Sequence, residues 1–292
     1  MALWNLGSIN ADMVYTVPHL PNPGETLAAR DMARFLGGKG ANMSVAAARG
    51  ACHVHHIGAV GKDGRWAVER LTEYGVDARF IVESEAATGH AIIAVEPGGE
   101  NQILIHPGAN RAIPEDLIGR ALSSAQAGDW LLMQNETNGQ AQAARIARDM
   151  GLRVAYAAAP FSGEAVAELL PYLDLLILNA VEAAQLEAAT GKGPAELPVP
   201  HVIVTMGPAG ARVFETGTRE VTGFPAMDVE AVDTTGAGDT FTGHVLAGLD
   251  RGLPMAQALT QGLRAAAIMV TRRGTADVIP DLKDIQDLFG PR

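Results

Sequence analysis

A chain of 292 residues with 48% hydrophobic residues can bury a large core without disulfides or structural metal, which excludes a small stapled scaffold and a disordered chain. The formal net charge of −11 argues against general nucleic-acid binding, because the surface repels phosphate, and leaves an anionic small ligand to local dipoles, a few cations and bound metal. Cys52 is the only cysteine, Met1 to Asn10 lacks a secretory pattern and no apolar run approaches the ~20 residues of a membrane helix, so the expectation is a cytoplasmic protein with no membrane partner.

The chain opens on Gly7-Ser8-Ile9-Asn10-Ala11-Asp12. Met13 to Arg34 then mixes alternating apolar residues near Val14 with Pro18, Pro21, Pro23 and Gly24. Gly37-Gly38-Lys39-Gly40-Ala41-Asn42 precedes a helical run from Met43 to Arg49. In the next strand His53 and His55 fall on one face, and two ligands do not make a zinc site. Ala91 to Val95 and Gln102 to Ile105 read as strands joined by Pro97-Gly98-Gly99-Glu100-Asn101, a strong hairpin signal. Such a hairpin lies outside a parallel sheet or at its edge, so residues 13–34 and 89–106 are expected to form one small β flap.

From Leu131 the pattern is regular. Strands at Leu131 to Met133, Val154 to Tyr156, Leu175 to Leu178 and His201 to Thr205 alternate with helices at Gln140 to Met150, Ala165 to Leu170 and Ala180 to Thr190. Strand and helix in series imply right-handed crossovers. The expected fold is therefore α/β: a three-layer, mostly parallel sheet with helices on both faces, plus the small β lid. No repeat or long linker divides residues 1–292, which read as one domain.

Asp233-Thr234-Thr235-Gly236-Ala237-Gly238-Asp239-Thr240-Phe241 leads into a helix to about Leu249. Glycines at a helix mouth expose N–H groups without intrahelical partners, and with the helix dipole these suit anionic oxygen. Asp239 falls in the first turn, where a carboxylate can take a proton from a hydroxyl attacking that anion, or merely complement the dipole. Two common nucleotide motifs are excluded. Gly38-x-Gly40 meets Met43, and Gly236-x-Gly238 meets Phe241, where a dinucleotide fingerprint needs glycine. No Gly-Lys pair is followed by Ser or Thr, as a P-loop requires.

The two glycine segments, in this order, resemble those of the ribokinase-like, or PfkB-type, carbohydrate kinases. Gly7 to Asp12, Pro23-Gly24-Glu25-Thr26, Gly98 to Asn101, His106 to Asn110 and Val270 to Gly274 extend the resemblance over nearly the whole chain. It implies an ATP-dependent sugar kinase, with ribose converted to ribose 5-phosphate as the leading reaction. Another sugar, or a nucleoside, is the alternative within the family, and a non-catalytic sugar-binding regulator is the alternative outside catalysis. By that resemblance Asp239 is the catalytic base and Gly236, Ala237 and Gly238 form the anion hole. Asn10, Asp12, Gly38, Lys39, Asn42 and Glu136 match sugar-binding positions. Asn179, Thr205, Gly207 and Gly210 match nucleotide-binding positions, and Glu182 matches one linked to Mg²⁺, reached directly or through water. Asp233, Thr235, Met269, Arg272 and Gly274 match the ligands of an activating K⁺, although Val278 stands where a hydroxyl-bearing residue is frequent. Arg264 stands where the family often has His or Asn near the purine. The lid is expected to supply a homodimer contact, because exposed strand edges need covering.

Overall fold

The structure is a computed structural model describing residues 1–290. β1 (Leu3–Leu6) leads into β2 (Asn10–Thr16) and β3 (Asp31–Gly37). Then come α1 (Lys39–Arg49), β4 (Val54–Gly61), α2 (Arg65–Glu73), β5 (Asp77–Ser84), and the hairpin of β6 (Gly89–Val95) and β7 (Asn101–His106). α3 (Glu115–Leu122) precedes the regular series β8 (Trp130–Gln134), α4 (Gln140–Asp149), β9 (Arg153–Ala157), α5 (Gly163–Leu169), β10 (Leu175–Asn179), α6 (Ala180–Thr190) and β11 (His201–Thr205). β12 (Ala211–Glu215), β13 (Glu220–Phe224), α7 (Ala237–Asp250), α8 (Met255–Val270) and α9 (Leu282–Phe289) complete it.

Nine strands form the central sheet in the order β13-β12-β11-β10-β9-β8-β1-β4-β5. From β5 across to β11 every pairing is parallel. β1, β4 and β8 are buried at every residue, as a sheet covered on both faces requires. Side chains alternate between two cores. Leu3 and Leu132 pack with Val45, Phe241 and Leu259 from α1, α7 and α8, whereas Trp4, Leu131 and Met133 pack with Leu117, Ala143, Val166 and Leu186 from α3 to α6.

Two local features depart from the sequence expectation. β12 and β13 add an antiparallel hairpin, which covers the edge that β11 would otherwise expose. α1 begins at Lys39 rather than Met43, because Gly38, at φ +92°, acts as its N-cap and the motif itself forms the first turn. α1 and α7 also approach closely: a Cβ on Gly243 would lie 2.5 Å from Ala46 Cβ.

The second sheet, ordered β3-β2-β6-β7, forms the lid. It joins β2 to β6 in parallel and the flanking strands antiparallel, so the two sequence regions read as one flap do pair with each other. Its edge strand β7 is exposed throughout, including Ile103, Leu104 and Ile105. Among the described residues no helix is long and apolar enough to cross a membrane.

Candidate active site

The chemistry-bearing residues gather beyond the carboxyl ends of the parallel strands, where open α/β sheets place their ligands. The segment from Gly7 to Asp12 leaves β1, Glu136 follows β8, Asn179 ends β10 and Thr205 ends β11. The amino ends of α1 and α7 complete the cluster. The glycine loop before α1 crosses the β1 exit at backbone contact: a Cβ on Gly40 would lie 2.3 Å from Ser8 N and 2.4 Å from Gly7 C. Only glycine permits that crossing.

Asp239 sits in the first turn of α7, whose N-cap is Gly236 at φ +72°. Its carboxyl is buried, and Oδ2 accepts a hydrogen bond from Asn42 Nδ2 at 2.9 Å. The bond spans from α1 to α7 and joins the two glycine motifs. A Cβ on Gly238 would meet nothing within 4 Å, so the helix mouth opens on space beside the carboxylate. The Ala237 N–H donates to Thr234 O at 3.3 Å, a long bond, and first-turn amides of a helix have no intrahelical acceptor.

Charge is crowded here. Burial is the largest influence on Asp239 and raises its pKa; Lys39 and Asn42 act the other way, and Glu136 adds to the rise. Burial, then Glu136 and Asp239, pushes Asp12 up to about 7. Burial raises Glu182 too, against the Asn179 backbone bond and Lys39, with Asp239 adding to the rise. Lys39 moves upward, chiefly because of Asp239, against its own burial and with help from Glu136 and Glu182. Asp239 is thus the common neighbour: it raises Asp12, Glu182 and Lys39, while Lys39 answers the charge of Asp239 and Glu182. Among the described residues these carboxylates do not come together as a three-ligand metal group, so Mg²⁺ here would rest on one or two carboxylates, water and substrate phosphates.

Glu136 Oε2 accepts from Ser8 Oγ and from Lys39 N (3.2 Å), so it ties β8 to the first glycine loop. Asn10 is buried, and its Oδ1 accepts from Asn110 Nδ2 at 2.7 Å. Asn110 also takes the Ile9 N–H on its Oδ1 at 2.9 Å. Beneath the loop, Asn5 Nδ2 donates to Gly40 O and Ser44 Oγ, both at 2.8 Å, and Gln134 Nε2 donates to Asn5 Oδ1 at 2.9 Å. His56 lies between Ser44 Oγ and Gly7 O, and burial lowers its pKa to about 4, so it is neutral. With Nε2–H donating to Gly7 O, Nδ1 accepts from Ser44. Ser8, Asn110 and this buried network carry no periodic or spacing signal, and sequence reasoning passed over them as supports of the site.

Asn179 and Glu182 form a reciprocal capping box at the start of α6, with bonds of 2.8 and 2.7 Å. Glu182 is therefore a first-turn helix acid, yet the same carboxyl also feels Lys39 and Asp239. The cap uses Oε2 and leaves Oε1 outside it. Thr205 ends β11, and the turn containing Gly207 and Gly210 joins it to β12, closed by Met206 N donating to Gly210 O at 2.8 Å.

Asp233 and Thr235 are brought beside the end of α8, since Val232 N and Asp233 N both donate to Val270 O at 2.7 and 3.1 Å. Met269, Arg272 and Gly274 lie along that same segment. Asp233 Oδ1 takes the Thr235 N–H at 2.9 Å, and Val278 packs against Gly274. Arg264 lines a groove between α8 and α9 with Leu282 and Ile285. Cys52 is buried with its thiol 3.4 Å from Asp250 Oδ2, and burial followed by Asp250 raises its pKa, so it is a packing residue rather than a nucleophile.

The model of the pfkB family of carbohydrate kinases matches residues 3–282. Ribokinase of Haemophilus influenzae is 36% identical over 291 residues, covering 94% of each chain. The crystal structure of ribokinase from Thermotoga maritima superposes with a TM-score of 0.89 at 31% identity, covering 100% of both chains. That of Arabidopsis thaliana ribokinase, complexed with ribose and ATP, gives a TM-score of 0.84 at 28% identity, again covering 100% of both.

Proposed function

This chain belongs to the pfkB family of carbohydrate kinases, and from that membership we propose that it phosphorylates ribose at the expense of ATP, giving ribose 5-phosphate. It is a phosphotransferase with an alcohol group as acceptor. The observation that carries the mechanistic reading is the buried Asp239 carboxylate, bonded to Asn42 and standing beside the open amino end of α7.

In this reading Asp239 accepts the proton of the attacking hydroxyl as its oxygen bonds to the γ-phosphorus, and ADP leaves. A carboxylate raised above its ordinary range by burial is the stronger base. Gly236, Ala237 and Gly238 supply amides toward the phosphoryl oxygens, so the Ala237–Thr234 bond opens when the anion arrives. Asn10, Asp12, Gly38, Lys39, Asn42 and Glu136 hold the sugar hydroxyls. The support is that Glu136 takes Ser8 and the Lys39 N–H, Asn10 takes Asn110, Asn42 holds Asp239, and Asp12 feels both Glu136 and Asp239. Asn179, Thr205, Gly207 and Gly210 receive the nucleotide. Mg²⁺, held through Glu182 directly or by water, neutralises phosphate charge when bound. K⁺ at Asp233, Thr235, Met269, Arg272 and Gly274 stiffens the loop before α7 when bound.

The lid, residues 13–34 and 89–106, closes over the sugar and gives the contact of a homodimer. The exposed β7 edge, with Ile103, Leu104 and Ile105, supports this. A monomeric mass at micromolar concentration would remove the dimer. An ATP-consuming enzyme whose one cysteine is a free thiol packed in the core suits the reducing cytoplasm.

An ADP-release assay over pentoses, hexoses and nucleosides tests the acceptor. Ribose is expected to give the highest kcat/KM. Ribose indistinguishable from a sugar-free control would refute it, and sugar binding by calorimetry without turnover would favour a regulator instead.

A further inference from the structure

β4 and β5 run parallel in a register that sets His55 beside Asp77. Two residues earlier, His53 meets His55 edge to face with ring centroids 4.5 Å apart. One nitrogen of each ring and one Asp77 oxygen all lie within 4.8 Å of one another. His55 Nδ1 is 3.0 Å from Asp77 Oδ2, an ion-pair contact, and this buried nitrogen has no other polar partner. The His55 ring cannot swing away. It stacks on Trp4 at 4.0 Å, and Trp4 Nε1 is itself held by Asp129 Oδ2 at 3.1 Å. His53 is exposed and free to turn about a backbone fixed by Leu3 N donating to its carbonyl at 2.9 Å. The cluster lies at the amino ends of the strands, the end of the sheet opposite the kinase cleft.

We propose that His53, His55 and Asp77 form a second, independent site for a divalent transition-metal ion, with Zn²⁺ the best fit. Two imidazoles and a carboxylate select Zn²⁺, Ni²⁺ or Cu²⁺ over Mg²⁺. A tetrahedral ion about 2.1 Å from each donor sets the donors roughly 3.4 Å apart. Side-chain rotation of about an ångström, mostly by His53, closes the site, and water fills the remaining position. The competitor is Arg79, which reaches Asp77 Oδ1 and Oδ2 through Nε at 3.0 and 2.9 Å. Its side chain is 67% exposed and moves aside as the ion takes one oxygen. The bound ion clamps the edge strand β5 to β4. Asp77, distant in sequence, is the third donor that the sequence reading of two histidines did not include.

Calorimetric titration of the full, tag-free chain with ZnCl₂, in excess Mg²⁺ to fill the kinase centre, tests this. Wild type is expected to take up one Zn²⁺ per chain at this site. His53→Ala, a surface change that spares the core, is expected to weaken that binding by more than about 100-fold. Arg79→Gln is expected to tighten it, and both variants keep wild-type turnover with Mg²⁺. Substituted Co²⁺ gives a visible d–d spectrum that His53→Ala abolishes. Absence of Zn²⁺ uptake by wild type, or wild-type affinity in His53→Ala, overturns the proposal.

Discussion

Replacing Asp12 by Asn should stabilise the ligand-free protein while impairing it as a kinase. Burial, with Glu136 and Asp239 nearby, lifts the Asp12 pKa from 3.8 to about 7. The folded chain therefore holds this proton more tightly than the unfolded chain. The stability it contributes is complete below pH 3.8 and is lost as pH rises through about 7. Across that window the loss amounts to at most about 4 kcal/mol, and solvent screening reduces it. Asn keeps the shape and removes the charge. Asp12→Asn is thus expected to gain about 1–3 kcal/mol at pH 8 and less than half of that at pH 5. Urea unfolding at both pH values, without Mg²⁺ or sugar, reads this directly, and the same variant should show a raised KM for ribose. Equal destabilisation at both pH values would refute the account of a strained acidic cluster.

Asn110→Ala leaves the Ile9 N–H unpaired and Asn10 unheld, so the KM for ribose should rise about tenfold with a smaller change in kcat; steady-state kinetics decide, and an unchanged KM speaks against the role. Gly40→Ala drives a methyl into the Gly7–Ser8 backbone and should cost at least about 2 kcal/mol by urea unfolding, with loss of turnover. His244 is buried against Pro280 O and its pKa falls to about 4, so the unfolded chain protonates first and stability drops as pH falls from 6.5 toward 4. In His244→Asn the slope of stability against pH in that window should lessen by up to about 1.4 kcal/mol per pH unit, and an unaltered slope would show that His244 is protonated in the native state.

The parts of this molecule visible in its sequence are those with a local cause. Apolar runs such as Leu131 to Met133 and Leu175 to Leu178 became buried parallel strands because nothing else can bury them on both faces. The Pro97 to Asn101 turn fixed the lid hairpin. What escaped depends on register between distant segments. Asn110 meets Asn10, Ser8 meets Glu136 and Asp77 meets His55 only through strand pairing and loop crossing, and no periodicity records those meetings. The start of α1 was displaced because glycine reads as a breaker, although here Gly38 caps the helix and Gly40 occupies its first turn. Glu182 shows a further ambiguity: the carboxyl that caps α6 is also one that Lys39 and Asp239 influence, and the sequence shows only that it stands in a first helical turn.

The central claim is that Asp239, held by Asn42 at the mouth of α7, takes the proton during phosphoryl transfer. Steady-state turnover of Asp239→Asn with ribose and Mg-ATP, on protein whose circular dichroism matches wild type, tests it most directly. The account predicts kcat lower by roughly 10²–10⁴-fold with ribose still bound; turnover within a few-fold of wild type would contradict it.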